Sequence, residues 1–239
     1  MTQEQQQQEE PYRRAMVVVA HADDAEFSCS GTVAKWCREG MEVVYVIVTD
    51  GSKGTDDRSV TPERLAEVRR QEQIVAGEVL GLKEVVFLGY PDAYLQPTLE
   101  VRRDITREIR RFRPDILITL SPVRTLSSNF YMGHPDHFAA GEAALSAVFP
   151  AARDHLTFPE LLKEGLEPHK VREVLIVGHD SPDKWIDVTD SMPTAMQALM
   201  AHGSQIGPEA AERMKEWRQE AGKEKGMQYA EAFKHILLR

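Results

Sequence analysis

The stretch VVVAHADDAEFSCSGTVAKW, residues 17–36, changes character abruptly at its fifth residue, His21. Before that point it is an unbroken apolar run rich in valine, which is typical of a strand buried on both faces of a sheet. After it come two adjacent carboxylates, Asp23 and Asp24, and then a segment with a helical pattern. The stretch therefore predicts a strand, a short polar turn and a helix, which is the repeating unit of a parallel α/β sheet.

The rest of the chain repeats this alternation of short strands and longer helices. Apolar, often β-branched runs predict strands at residues 16–20, 43–48, 85–88, 116–120 and 174–177, with a weaker one at 185–188. Helical patterns lie between them at residues 29–39, 62–80, 98–112 and 136–148. This order predicts a mostly parallel, doubly wound sheet with right-handed crossovers. From about Ser191 onward the pattern predicts a helical C-terminal part.

Composition and charge narrow the setting of the protein. Residues 1–11 are rich in Gln and Glu and predict a disordered tail, so residues 12–239 are expected to form a single α/β domain. No apolar stretch approaches the roughly 18 residues of a membrane-spanning helix, and no signal peptide is recognisable, so we expect a cytoplasmic protein. The net charge of −9 disfavours nucleic acid and anionic membranes as partners, because both reward clustered Lys and Arg. We expect a homo-oligomer with neither kind of partner.

The turn after the first strand argues against a dinucleotide-binding enzyme. Ligands of such sheets bind at the carboxyl ends of the strands, and a dinucleotide needs a G-x-G-x-x-G turn there. Here the turn is His21-Ala22-Asp23-Asp24-Ala25-Glu26. Its three acids would repel a phosphate unless a cation stood between them.

Two explanations remain open for these acids: a helix start or a metal site. Aspartate at a helix N-terminus caps free N–H groups and complements the helix dipole, which requires no function. The metal site is favoured by a second cluster, Gly133-His134-Pro135-Asp136-His137, which also precedes a helix at the same edge of the predicted sheet. Catalytic zinc takes three N or O ligands and keeps one position for water. His21, Asp24 and one of the later histidines supply that number.

The remaining polar groups of the two clusters suit acid and base chemistry. Asp23 can face the metal-bound water as a general base while its neighbour Asp24 holds the metal. The histidine of the second cluster that is not a ligand can donate to an oxyanion or protonate a leaving amine. The sequence thus predicts a metal-assisted hydrolysis.

These paired motifs resemble those of a known family, the PIG-L/LmbE-like zinc N-deacetylases. That family has an Ala-His-Pro-Asp-Asp turn after the first strand and a later His-Pro-Asp-His. The similarity extends through VTDGSKG (48–54), RRQEQIVAGEVLGLKEVVFLGYPD (69–92), RPDILITLSP (113–122), AHGSQ (201–205) and YAEAF (229–233). Ala22 departs from the pattern because it stands where the family has proline. The change removes a residue that stiffens the turn and leaves the ligands in place.

The resemblance implies a Rossmann-like, three-layer α/β/α fold and a defined reaction. The reaction is removal of an acetyl group from a small N-acetylglucosaminyl-type conjugate, with one Zn²⁺ per chain. Ligands of this kind also accept other divalent transition metals, so the physiological metal stays open. The zinc ligands that it implies are His21, Asp24 and His137. Asp23 matches the family's general base, and His134 matches the histidine that stabilises the tetrahedral intermediate. Asp136 is then expected to orient His134.

Four further residues are candidates for substrate binding: Arg69, Asp92, His202 and Asp50. Each also has a purely structural explanation. Arg69 is spaced i, i+3 from Glu72, which is typical of a surface ion pair. Aspartates after strands favour turns, and a histidine near a helix end interacts well with the helix dipole. In the family, such an arginine reaches the substrate and the counterpart of His202 lies near the site.

Two other function classes remain open. A metallo-phosphoesterase also uses clustered His and Asp, but a two-metal site needs more residues to bridge the ions. A single metal per chain would count against it. A non-catalytic ligand-binding protein could keep the same fold, although a pure binder has no need of a general base such as Asp23.

Overall fold

The structure, a computed structural model, describes residues 11–126 and 132–238. Within them, the strands are β1 (Arg14–Val19), β2 (Glu42–Thr49), β3 (Glu84–Tyr90), β4 (Ile116–Leu120), β5 (Glu173–Val177), β6 (Lys184–Asp187) and β7 (Ala230–Leu237). The helices are α1 (Asp24–Arg38), α2 (Pro62–Leu80), α3 (Leu99–Phe112), α4 (Pro135–Ser146), α5 (Pro159–Lys163), α6 (Met192–Met200) and α7 (Pro208–Lys223). A π-helical turn, Ala147–Ala151, continues α4, and a 3₁₀ turn, Thr189–Ser191, precedes α6.

The strands form one sheet in the order β3-β2-β1-β4-β5-β7-β6. The pairs from β3 to β5 are parallel, whereas β7 runs antiparallel to both β5 and β6. The chain moves outward in one direction from β1 to β3 and then returns to β4 on the other side of β1. Crevices for ligands form at such a switch in strand order, outside the carboxyl ends of the two strands. Here those strands are β1 and β4.

Helices cover both faces of the sheet. On one face α1, α2 and α6 contact one another, and on the other face α3, α4 and the π-helical turn do so. All residues of β4 and β5 and nearly all of β1 and β2 are buried, as expected for strands covered on both sides. This arrangement confirms the predicted Rossmann-like, three-layer α/β/α fold with a mostly parallel sheet.

The first helix begins earlier than the sequence pattern predicts. We expected a helix over residues 29–39, whereas α1 begins at Asp24, directly after the polar turn. The acids of its first turn, Asp24 and Glu26, complement the positive end of the helix dipole. The pattern did not indicate this start, because Asp24 and Glu26 are buried although acidic residues are usually exposed.

The helical C-terminal part contains α6 and α7 as predicted, and after them a strand that the pattern did not predict, β7. This strand inserts between β5 and β6, and the pairs Val174 with Ile236 and Trp185 with Ala232 fix its register. Alternation within β7 is weak, since Lys234 and His235 interrupt its apolar residues. A short segment of this kind is assigned to a strand by long-range pairing rather than by its own periodicity.

Helix α4 lies unusually close to the end of β4 because of Gly141. A Cβ atom added at Gly141 would lie 2.3 Å from the backbone oxygen of Leu120. Only a residue without a side chain permits this approach. The N-terminus of α4, which carries the second polar cluster, is thereby brought to the carboxyl edge of the sheet.

Two expectations concern parts of the chain outside the layers. Of residues 1–11, the structure describes only Pro11, so the predicted disordered tail lies outside the described residues. In the ranges 11–126 and 132–238, every helix is too short or too polar to cross a bilayer.

Candidate metal centre

The turn between β1 and α1 folds so that the first polar cluster surrounds His21. The His21 backbone N–H donates to Asp24 Oδ2 at 2.8 Å, which holds that carboxylate against the imidazole. His21 Nδ1 lies 3.6 Å from the same oxygen. On the opposite side of the ring, Nε2 lies 3.0 Å from Asp92 Oδ1 and 3.3 Å from Asp136 Oδ2. Carboxylates that accept from one imidazole nitrogen fix the ring and leave the other nitrogen directed at a metal.

The second cluster meets the first at the N-terminus of α4. His134 is the N-cap residue of α4, and its Nδ1 accepts a hydrogen bond from the backbone N–H of Asp136 at 3.2 Å. One turn further, His137 Nε2 lies 2.9 Å from Asp24 Oδ1. One nitrogen from each of the histidines at positions 21, 134 and 137 lies within 4.8 Å of the others. The two sequence clusters thus form one group.

The donor types of this group fit a divalent metal ion. Donors around a tetrahedral ion, each about 2.0–2.2 Å from it, stand roughly 3.3 Å from one another. Asp24 Oδ2 lies 3.6 Å from His21 Nδ1, and the other oxygen, Oδ1, lies 2.9 Å from His137 Nε2, so both distances are near that spacing. A second group, His21, Asp92, His134 and Asp136, is also compact. In that group both oxygens of Asp136 already accept from backbone N–H groups, whereas Asp24 meets His137 through Oδ1 and the His21 N–H through Oδ2, so His21, Asp24 and His137 suit an ion better.

Electrostatics in this ion-free arrangement are dominated by a buried imidazole among carboxylates. Burial by itself would lower the pKa of His21, but Asp136, Asp24 and Asp92 outweigh it and raise that pKa to about 12. Burial acts to raise the pKa of Asp24, yet His137 and His21 hold it well below its usual value. The same imidazole lowers the pKa of Asp92 to about 2 against the effect of burial. Without an ion, the positive charge among these carboxylates is therefore that of a protonated His21.

Asp23 stands apart from this group and has the properties of a base. Burial, and then the charge of Asp24, raises its pKa to about 7, while Arg69 acts in the opposite direction. Asp23 adopts the left-handed conformation, with φ 87°, and its side chain makes no capping hydrogen bond to α1. The carboxylate is therefore free of the helix whose N-terminus it occupies, and it faces the cavity next to Asp24.

The expected substrate-binding residues divide into two pairs. Arg69 and Asp92 line the cavity, whose volume is about 330 Å³. Arg69 does not pair with Glu72. It is buried and donates to the carbonyl oxygens of Ala22, Gly51 and Lys53, with Asp23 Oδ2 at 3.6 Å.

The other two candidates lie behind the cavity rather than in its wall. His202 is 1% exposed, and its Nε2 faces Glu26 Oε2 at 3.3 Å. The Asp50 carboxylate accepts from the backbone N–H groups of Ser52 and Asp92, so it shapes the loop after β2. The contacts of Asp50 are those of a turn residue, whereas the contact of His202 is with a buried carboxylate of α1.

Asp136 reaches His134 through its backbone rather than through its carboxylate. Its Oδ1 is 4.0 Å from His134 Nδ1, too far for a hydrogen bond, and it is the Asp136 backbone N–H that reaches the ring. The carboxylate instead accepts from the N–H groups of Ala93 and Leu95 and lies against His21. It therefore joins the loop after β3 to His21, a contact that no sequence spacing could reveal.

Two residues of this region, Gln73 and Glu26, were given no role from the sequence. Gln73 lies one turn after Arg69 on α2 and bonds the backbone of Asp23 at 3.2 Å, and it also bonds the buried Glu26 at 3.0 Å. The i, i+4 spacing from Arg69 places Gln73 on the same helix face, and that signal could have found it.

A histidine and carboxylate metal centre at the switch point of an α/β/α sheet defines a class, the metal-dependent hydrolases built on a Rossmann-like fold. Residues 16–148 match the family described as PIG-L: GlcNAc-PI de-N-acetylase. The chain belongs to this family.

Individual relatives agree with the family match. The chain is 32% identical over 228 residues to a diacetylchitobiose deacetylase of Thermococcus kodakarensis, which covers 94% of this chain and 83% of the relative. It is 27% identical to a probable N-acetyl-alpha-D-glucosaminyl L-malate deacetylase 2 of Bacillus anthracis, covering 86% of this chain and 87% of that one. Among solved structures, N,N'-diacetylchitobiose deacetylase from Pyrococcus horikoshii, complexed with its inhibitor MPG, superposes with a TM-score of 0.87 at 28% identity. The superposition covers 95% of this chain and 84% of that one.

Proposed function

We propose that the protein is a zinc-dependent N-deacetylase that hydrolyses the acetamide of a small N-acetylglucosaminyl-type conjugate. The observation that carries the proposal is the contact of the Asp24 carboxylate with both His21 and His137, next to Asp23. The Asp23 side chain makes no capping hydrogen bond to α1. Family membership and deacetylase relatives at up to 32% identity support the same reaction. The products are acetate and the free amine, with one water consumed.

We assign the metal to His21, Asp24 and His137, with one Zn²⁺ per chain. A bound zinc ion supplies a Lewis acid that polarises a carbonyl group and lowers the pKa of water. The two compact donor groups share His21 and His134, so they do not provide separate full sets for two ions. This sharing favours a single metal and speaks against a two-metal phosphoesterase.

The protein's own groups would move the protons. Asp23, whose pKa of about 7 lies near neutrality, accepts a proton from the attacking water. His134 donates to the oxyanion that develops as the carbonyl carbon becomes tetrahedral. The proton held by Asp23 then passes to the amine nitrogen as the C–N bond breaks. Arg69 and Asp92, which line the cavity, bind the sugar hydroxyl groups.

We further propose that the protein works in the cytoplasm as a homo-oligomer. The exposed apolar side chains of Val123, Leu126 and Met132 support a contact between copies. Sedimentation of the zinc-loaded protein tests this proposal separately from activity.

The test of function is an acetate-release screen of N-acetylglucosaminyl disaccharides and N-acetylglucosaminyl carboxylates. Zinc-loaded protein should release acetate and expose one amine per acetate, and a chelator should stop both. A matched set of phosphomonoesters tests the rival chemistry. Zinc bound at one ion per chain without acetate from any compound would favour the non-catalytic alternative, and phosphate release would favour the phosphoesterase.

A further inference from the structure

We propose that Gln73 is a positioning residue that holds the general base Asp23 in its active orientation. The proposal rests on the function proposed above for its kinetic consequence, but its structural consequence can be measured without any substrate. Gln73 is fully buried on α2, and it connects the backbone of Asp23 to a carboxylate beneath the site.

The backbone of Asp23 is strained, so a contact from outside the turn is needed to stabilise its conformation. Its φ of 87° lies in the left-handed region, which residues with a side chain seldom adopt. Asp23 O accepts from Phe27 N at 3.0 Å, as the first carbonyl of a helix does. The Asp23 N–H points away from the helix and donates to Gln73 Oε1 at 3.2 Å. This bond therefore opposes a return of the turn to an unstrained conformation.

The orientation of the Gln73 amide is fixed from its other end. Its Nε2 donates to Glu26 Oε1 at 3.0 Å, and an ionised carboxylate can only accept. The amide oxygen is thereby turned toward Asp23. Glu26 is itself fully buried, and its second oxygen faces His202 Nε2 at 3.3 Å. Donation runs in one direction, from the Asp23 N–H to Gln73 and from Gln73 to Glu26, and neither Gln73 nor Glu26 lines the cavity.

The metal ligands are held by different contacts. Asp24 is anchored by the backbone N–H of His21, and His21 by the carboxylates of Asp92 and Asp136. Loss of the Gln73 amide should therefore move the base and leave the metal site in place. A misplacement of a catalytic group by about 1 Å can cost on the order of 10²-fold in rate.

Kinetics of a double-mutant cycle test the proposal when the acetate-release assay has found a substrate. Gln73→Met should lower kcat about 10–100-fold with little change in KM or zinc content. In an Asp23→Asn background the same substitution should change kcat less than about 2-fold, because Gln73 acts only through Asp23. Gln71→Met, an exposed neighbour on α2, is the matched control. Equal losses in both backgrounds would overturn the proposal.

An exchange of partners gives a rescue test. Gln73→Glu keeps an acceptor for Asp23 but sets a second carboxylate against Glu26, so kcat should fall. Adding Glu26→Gln restores the donor between the two side chains, with the roles reversed, and should recover most of the loss. A double variant no better than Gln73→Glu alone would contradict the proposed connection.

Amide hydrogen exchange decides the structural claim even if no substrate is found. In zinc-loaded protein labelled with ¹⁵N-aspartate, Gln73→Met should speed exchange at the Asp23 amide at least about 10-fold and leave Asp24 unchanged. The two resonances are identified by their loss in Asp23→Asn and Asp24→Asn. Unchanged exchange at Asp23 would refute the proposal, whereas absent acetate release with faster exchange would refute only the proposed reaction.

Discussion

Asp24 Oδ1 lies 2.9 Å from His137 Nε2, and this contact joins the first turns of two helices on opposite faces of the sheet. Helices α1 and α4 follow β1 and β4, the neighbours between which the strand order reverses. The proximity of these two proposed ligands is a result of topology, because the carboxyl ends of adjacent parallel strands place both helix starts at one crevice. A change that shifts either helix should weaken metal binding.

Metal binding should release protons. Without an ion, the pKa of His21 is raised to about 12, so the imidazole is protonated at pH 7. A metal requires the neutral ring, and its binding must displace that proton. We expect about one proton released per zinc ion, with affinity that rises as pH increases from 6 to 8. Calorimetric titration in buffers of different protonation enthalpy measures the number, and a value near zero would remove His21 from the ligand set.

Asp23→Asn should abolish most activity with zinc still bound. Asparagine has the shape of aspartate but cannot accept the proton of water, so kcat should fall roughly 10²–10⁴-fold. Zinc content, measured by atomic absorption, should stay at that of the parent because Asp23 is not one of the assigned ligands. Asp57→Asn in the exposed loop after β2 serves as the control. Activity close to that of the parent would exclude Asp23 as the base.

The parts of the site that local sequence could predict are those at strand ends. His21, Asp24 and His137 follow β1 and β4, and the alternation of strands and helices was enough to bring them to one edge. Spacing from Arg69 could indicate the helix face on which Gln73 lies, but the contact between Gln73 and Glu26 could not be predicted. These two side chains join the buried sides of two helices, and such pairs depend on how α1 and α2 pack rather than on spacing along the chain.

Gly141→Ala should destabilise the protein and weaken the metal site together. The added Cβ would meet the backbone oxygen of Leu120 at 2.3 Å, which α4 can relieve only by moving away from β4. Overpacking costs about 1–3 kcal/mol, more than the gain in helix propensity of about 1 kcal/mol. Urea unfolding and zinc titration report the two effects. Gly207→Ala, where a Cβ meets open space, is the control, and equal behaviour of both variants would contradict this account.

Glu231→Ala should reveal how the C-terminal strand supports the site. Glu231 of β7 is buried and accepts from the backbone N–H groups of Gly31 and Thr32 in the middle of α1. It also pairs with Arg218 at 3.1 Å, and Arg218 donates to the carbonyl oxygen of Phe27. Strand β7, which the sequence did not predict, and helix α7 therefore both contact α1, the helix that begins with Asp24.

Removing one partner of a buried ion pair costs about 3–5 kcal/mol, because the other charge remains uncompensated. We expect Glu231→Ala to lower the free energy of unfolding of the metal-free protein by that amount in urea. Glu220→Ala, at an exposed ion pair on α7, should change it by less than about 0.5 kcal/mol. Glu231→Gln should fall between them, since its amide oxygen can still accept from one N–H of α1. Equal free energies of unfolding for Glu231→Ala and Glu220→Ala would show that β7 does not stabilise α1.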